Sequence, residues 1–192
     1  MLPFALCLAL HAQDKPPIVT REQWGANPPV LTRKRHVPTH ITIHHTGVPQ
    51  QPARSLEDKL RGLQLFSQRE DKLASGQTKP AWPDVPYHFY ISTDGRIGEG
   101  RQLIYTGDTN TEYDPTGHLL VVVEGTFDTE KVTAPQYESL EKVVLWLAHE
   151  WQVPSERIKG HGDYAKTACP GKELIQFLPE LRRRVASRLR RP

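Results

Sequence analysis

A chain of 192 residues with 37% apolar and 24% charged side chains can build one domain with a real core, and it is neither disordered nor fibrous. The formal charge of +3 is mild, and six arginines crowd positions 182 to 191, so the rest of the fold is near neutral or acidic. With no basic footprint across a face, nucleic acid is not an expected partner. The basic tail reads as a solvated helix end, with contact to an anionic polymer or membrane surface as the other reading.

Residues 1–12 form an apolar opening that gives way to Gln13-Asp14-Lys15-Pro16-Pro17. This looks like the hydrophobic remnant of an export signal with cleavage near Ala12, although a positive n-region is missing. The alternative is a packed or disordered N-terminus. The run is far too short to cross a bilayer, so no membrane span is expected. Cys7 and Cys169 are the only cysteines. Loss of Cys7 with a signal would leave one thiol and no intrachain disulfide. Residues 13–39 carry Pro16, Pro17, Pro28, Pro29 and Pro38 and are expected to wrap the domain as an irregular arm, pinned by Trp24 and Val30.

Residues 40–192 should form the domain proper. Ile41-Thr42-Ile43 alternates as a strand does and runs into His44-His45. The period of two groups His45 with Ile41 and Ile43, and His44 with Thr42, but at a strand end both histidines can point usefully. Ser55 and Asp58 resemble a helix-capping box. Leu56, Leu60 and Leu63 then share one face of a helix expected to reach about Glu70, with Gly62 as its weak point. Leu73 to Asp84 reads as a loop and possible groove wall, in which Trp82 meets a sugar or peptide, or else sits in the core. Tyr87-His88-Phe89-Tyr90-Ile91 reads as a strand, Asp94-Gly95 as a hairpin turn, and residues 96–100 as the returning strand. Residues 106–117 are polar and turn-rich, a loop at the rim of any site. Leu119-Leu120-Val121-Val122-Val123 is the best central strand. Thr133 and Gln136 fit a second capping box with Pro135 in the first turn, opening a helix whose stripe is Leu140, Val143, Val144, Leu147 and Trp151. His149 near its end suits a C-terminal capping role. A last helix starts at Glu173, and Pro179 is expected to divide it from an arginine-rich amphipathic end with Leu181, Val185 and Leu189. No repeat or linker interrupts this order, so the expectation is a single α/β domain.

The chemistry concentrates in Lys159-Gly160-His161-Gly162-Asp163-Tyr164-Ala165-Lys166-Thr167-Ala168-Cys169-Pro170-Gly171, a Gly- and Pro-punctuated stretch that reads as a loop. His161 and Cys169 are both possible zinc ligands, and the His44-His45 pair is the best source of a third. Such a His/His/Cys set would leave the fourth zinc position open for a water. The alternative is a buried structural cysteine beside two surface histidines. A lone cysteine in an exported protein is a liability unless occupied, which favours the metal. The G-x-G-x-x-G, P-loop, His-Glu-x-x-His and G-x-S-x-G patterns are all absent.

Taken together, Ile43-His44-His45-Thr46, Tyr87-His88-Phe89, Asp94-Gly95-Arg96-Ile97 with Glu99-Gly100-Arg101, and His161-Gly162-Asp163 through Thr167-Ala168-Cys169-Pro170-Gly171 resemble the type 2 N-acetylmuramoyl-L-alanine amidases. These are related to peptidoglycan recognition proteins and to phage lysozymes of the amidase type. The resemblance runs from about Thr20 to about Leu178. It implies a central mixed β-sheet flanked by helices, and zinc (Zn2+) held by His44, His161 and Cys169. Members with the complete ligand set cleave the amide between N-acetylmuramic acid and L-alanine, whereas members lacking the cysteine often only bind peptidoglycan. The expected partner is therefore peptidoglycan or muropeptides, and the expected state a secreted or periplasmic monomer.

The chain departs from the family pattern in its proton-handling residues and at the rim. Some members carry a proton-handling glutamate inside the central strand, where this chain has Val122; Glu124, on the same face, is the nearest carboxylate. Other members use the tyrosine matching Tyr87, the scheme expected here, with Tyr87 as donor to the developing oxyanion. Phage enzymes carry a lysine near the cysteine, where this chain has Thr167 beside Lys166, so Thr167 is a second oxyanion candidate or a local loop bond. His45 reads as support or packing, and Asp163 as the residue orienting the late loop. The rim, with Asp108, Asn110, Glu112 and Tyr113, differs from relatives and bears on stem-peptide preference. Trp82 and Asn110 are the expected substrate contacts.

Overall fold

The computed structural model describes residues 14–73 and 76–189. The strands are β1 (Ile18–Val19), β2 (His40–His45), β3 (Asp71–Lys72), β4 (Thr78–Lys79), β5 (Phe89–Ile91), β6 (Ile97–Glu99), β7 (His118–Val123) and β8 (Ile158–Gly160). The helices are α1 (Leu56–Ser67), α2 (Ala134–Glu150) and α3 (Lys172–Leu189). Six strands form one sheet in the order β1-β6-β5-β7-β2-β8, and β3 and β4 form a separate hairpin. Only the β5–β6 pair is antiparallel in the large sheet, so the sheet is mixed.

The alternation of side chains along β2 decides what each face does. Ile41 and Ile43 join Leu119, Val121 and Val123 of β7 in the main core under α2 and α3. The opposite face, with Tyr90 and Val122, packs on Leu56 and Leu60 of α1 and on Trp24 of the arm. β7 is buried on both faces, which is why it reads as an unbroken apolar run. The Thr133–Gln136 capping box forms reciprocally, whereas at α1 only half of the box is present: Asp58 N–H bonds Ser55 Oγ at 3.1 Å, and the Asp58 carboxylate accepts the Ser55 hydroxyl instead of its backbone N–H. Gly95 sits at φ +82° in the hairpin turn, where an added Cβ would lie 2.7 Å from Pro135 O.

Several expectations need correction. Pro179 lies inside α3 and does not divide it. It removes the N–H that would bond Ile175 O, but Ile175 is an exposed residue, while Leu174, Leu178, Leu181 and Val185 keep one buried stripe. Trp24 is fully buried as expected, with its indole N–H bonding Glu99 O at 2.7 Å, but Val30 is 52% exposed and holds the arm only through its backbone N–H, which bonds Pro83 O at 3.0 Å. α1 ends at Ser67 rather than near Glu70, because the chain turns there into β3. The loop expected over residues 73–84 includes β4, and the strand expected from Tyr87 begins at Phe89. The late loop starts with strand β8, which pairs with β2 and so carries the following histidine to its place.

The arginines of α3 are largely matched by acids, with Arg184 on Glu141 and Glu180 and Arg183 on Glu180. That supports the solvated helix-end reading. The apolar opening, Cys7, Arg190 and Arg191 lie outside the described residues. Among the described residues no helix is long and apolar enough to cross a membrane.

Candidate metal centre

His44 falls on the α1 face of β2, in register with Val122 of β7, and is 3% exposed. His45 turns to the other face, where its Nδ1 accepts from Phe127 N–H at 3.4 Å. The alternation therefore separates the paired histidines onto opposite faces. β8 ends beside β2, and a 3-10 turn at His161–Asp163 follows at once. Asp163 holds that turn, its Oδ2 accepting Gly160 N–H at 2.9 Å with Arg182 at 3.7 Å. Gly162 N–H then bonds Cys169 O at 2.8 Å and closes the loop, bringing the cysteine back over the histidine. Gly171, at φ +89°, lets this backbone pass Phe127 where a Cβ would come within 2.7 Å.

The three sequence-predicted ligands meet: one donor atom from each of His44, His161 and Cys169 lies within 4.8 Å of the others, and all three residues are buried. Cys169 Sγ is 3.7 Å from His44 Nδ1 and accepts the backbone N–H of His45 at 3.4 Å. Bonds of about 2.0–2.3 Å in a tetrahedron space ligand atoms by roughly 3.3–3.8 Å, so the N–S separation already suits zinc. The histidines are not on the surface, which removes the alternative reading of them.

The electrostatics suit a cation. Burial, then the neighbouring His161, holds His44 well below the usual imidazole range. Burial, with His45 nearby, lowers His161 to about 4. Both rings are thus neutral, the form a metal needs. Burial pushes the Cys169 thiol up to about 12, against the pull of the His45 N–H. A bound cation reverses that penalty by stabilising the thiolate. His44 Nε2 is buried without a protein partner. This donor set fits zinc.

Tyr87 lies just before β5, its ring centroid 5.3 Å from that of His44. Burial first, then Cys169, raises its phenol above the ordinary value, so it stays protonated and able to donate. Thr167 lines the same cavity, and its Oγ1 accepts Cys169 N–H at 3.2 Å, so the local loop bond is present. This cavity of about 200 Å³ shares Thr46, Trp82, Tyr87 and Asn110 with a neighbouring groove of about 390 Å³ that runs along α1 past Arg54, Lys59 and Leu63. Trp82 and Asn110 therefore border both spaces.

Glu124 lines the groove but not the metal cavity. Its Oε1 accepts Gln51 N–H at 2.8 Å, and its Oε2 accepts Lys59 Nζ at 2.8 Å and Thr93 N–H at 3.1 Å. Both oxygens are occupied, which argues against a free general base. Three residues at the centre went unread in the sequence. Lys59 is buried against Glu124. Lys79, fully buried, places its ammonium 4.6 Å from the Trp82 ring centroid. Thr111 bonds His161 at 2.7 Å. No spacing marks any of them; Lys59 and Thr111 are defined by partners 65 and 50 positions away, and Lys79 by the backbone carbonyls its ammonium gathers.

The family model described as N-acetylmuramoyl-L-alanine amidase matches residues 34–172. The chain belongs to this amidase family. Peptidoglycan recognition protein 1 of Bos taurus is 29% identical over 182 residues, covering 90% of this chain and 89% of that protein. Among solved structures, Drosophila peptidoglycan recognition protein SD superposes with a TM-score of 0.72 at 22% identity, over 85% of this chain and 94% of that one. The endolysin N-acetylmuramoyl-L-alanine amidase LysCS from Clostridium intestinale URNW gives 0.64 at 25% identity, over 88% and 97%. The mixed sheet flanked by helices is thus the family fold, and its relatives include both amidases and recognition proteins.

Proposed function

We propose that the protein is a zinc-dependent N-acetylmuramoyl-L-alanine amidase, hydrolysing the amide between N-acetylmuramic acid and L-alanine in peptidoglycan or its fragments. The convergence of His44, His161 and Cys169 beside Tyr87, at the end of a groove, carries this reading. Zinc, when bound, supplies an acidified water, with a pKa falling toward roughly 7, and polarises the scissile carbonyl.

The chain's own residues do the rest. His44 and His161 offer neutral nitrogens, and Cys169 offers a sulfur steadied by the His45 backbone N–H. Tyr87 donates its phenolic hydrogen toward the carbonyl oxygen as charge builds there, the interaction that most lowers such barriers. Thr167 borders the same position and holds Cys169 in the loop. Trp82 and Asn110 stand where the cavity opens into the groove, suited to packing against and hydrogen bonding a stem peptide. Asp163 shapes the late loop without joining the ligand cluster.

The test is incubation of the zinc-loaded protein with muropeptides and mass analysis of the products. Free glycan with an intact stem peptide supports the amidase. A shortened stem would reveal a zinc peptidase, and unchanged muropeptide with measurable binding would reveal a recognition protein. We further propose a monomer acting in the periplasm or outside the cell, which N-terminal sequencing of protein from the host envelope checks. An intact Met1 in a cytoplasmic fraction defeats the placement and points to turnover of imported wall fragments.

A further inference from the structure

One bond at the centre comes from the rim loop. Thr111 Oγ1 lies 2.7 Å from His161 Nε2, although the two residues are 50 apart in sequence. We propose that Thr111 is a positioning residue for the metal: its hydroxyl accepts the Nε2–H of His161 and leaves Nδ1 as the ligating nitrogen. This inference rests on the zinc reading above.

The hydrogen count fixes the direction of the bond. A neutral imidazole carries one N–H and one bare nitrogen, and a metal takes the bare one. Thr111 Oγ1 also lies 2.8 Å from Thr109 Oγ1, which in turn accepts Thr111 N–H at 3.2 Å. With His161 donating to Thr111 and Thr111 donating to Thr109, the imidazole N–H and the Thr111 hydroxyl hydrogen each have an acceptor. The reverse polarity would put the proton on Nδ1 and leave the ring unable to bind a cation through either nitrogen. Ligating histidines generally donate their other N–H to a fixed oxygen, which sets the tautomer and the ring plane.

The loop that supplies the oxygen is braced. Arg101, 2% exposed, donates to Thr106 O and pairs with Asp108, each at 2.5 Å. Asp108 N–H bonds Pro86 O at 3.2 Å, tying the loop to the segment that carries Tyr87. The Tyr113 ring packs 5.2 Å from the His161 ring, tilted at 57° to it. A supporting group held this way restricts the ligand before any metal arrives. His44 contrasts with it, since its Nε2 is buried with no protein partner. His161 is therefore the imidazole whose Nε2 is held by a protein hydrogen bond.

The experiment compares wild type, Thr111→Val and Thr111→Ser by chelator competition for zinc, alongside thermal unfolding of the metal-stripped proteins. Thr111→Val should weaken zinc binding about 10- to 100-fold, the usual effect of removing such a partner. Thr111→Ser should restore it to within a few-fold, and the metal-stripped melting points should stay together. Nitrogen-15 histidine spectra of the zinc-loaded wild type should show His161 protonated at Nε2. An unaltered zinc affinity in Thr111→Val, equal losses in both variants, or a zinc-bound Nε2 would each overturn the proposal alone. A wild type that takes no zinc would overturn the metal reading and this inference with it. Should Thr111→Val fail to fold, the wild-type spectra still decide.

Discussion

Replacing Glu124 by Gln separates a structural carboxylate from a catalytic one. In the structure the carboxylate accepts three hydrogen bonds, from Gln51 N–H, Thr93 N–H and Lys59 Nζ. Its pair with Lys59 is almost fully buried, at 2% and 4% side-chain exposure. Glutamine has one acceptor oxygen where glutamate has two. If that oxygen takes the place of Oε2, the Gln51 N–H meets an NH2 group. If it takes the place of Oε1, the Lys59 ammonium and the Thr93 N–H do. Either way the ammonium loses its counter-charge, and in the second case it keeps only the Ser92 hydroxyl at 3.0 Å.

Removing one partner of a buried pair costs about 3–5 kcal/mol. Against a total stability of about 5–15 kcal/mol that is a large share. At about 2–4 °C per kcal/mol for a chain of this size, the melting point should fall by about 6–20 °C. The assay is urea and thermal unfolding of the metal-stripped proteins, with turnover measured at low temperature and normalised to folded, zinc-loaded enzyme. Turnover should change only several-fold. The double variant Lys59→Met with Glu124→Leu should recover much of the loss, because it leaves no uncompensated charge. Wild-type stability combined with abolished turnover in Glu124→Gln would refute this reasoning and make Glu124 the proton-handling residue.

Tyr87→Phe should lower kcat by about 10²-fold or more with zinc content unchanged, the scale of losing one oxyanion donor; metal analysis and rates on the same muropeptide check both parts. Cys169→Ala should abolish stoichiometric zinc and turnover together, and chelation of the wild type should stop turnover, with added zinc restoring it. Lys79→Met leaves the carbonyls of Ser67, Arg69 and Pro80 without the ammonium that bonds them at 2.6–3.1 Å. The expected cost is about 1–3 kcal/mol by urea unfolding, with KM rising more than kcat falls as the Trp82 wall loosens.

The legible parts of the sequence were those with a local cause. Helix caps at Ser55 and Thr133, the Asp94-Gly95 turn and the apolar run of β7 need only neighbours in the chain, and each stands where its pattern put it. Short strands were harder. β8 has three residues, too few for a period, and exists because β2 offers it an edge. Pro179 misled because its penalty is local, whereas the stripe that holds α3 together belongs to the tertiary core. The polar partnerships were least legible: Lys59 with Glu124 spans 65 positions and Thr111 with His161 spans 50. A hydrogen bond between distant loops leaves no periodicity behind it.

The family pattern and the geometry meet most closely at Val122. This residue lies between His44 and Tyr90 across the sheet, on the face that carries the candidate metal centre. A carboxylate there would stand beside the histidine and could handle protons. Valine cannot, and the nearest acid on that face, Glu124, already accepts three donors. Of the other groups around the cavity, the Asp108 carboxylate is paired with Arg101, and Tyr87 and Thr167 offer hydroxyls. Burial keeps the Tyr87 phenol protonated, so it can donate but is a poor base. The chain's residues are therefore equipped to stabilise a developing negative charge rather than to remove a proton. On that ground the pH dependence of turnover should not follow any carboxylate on this face, and Glu124→Gln should leave the shape of the pH–rate profile unchanged. A profile whose acidic limb disappears in Glu124→Gln would show that Glu124, despite its partners, titrates in the reaction.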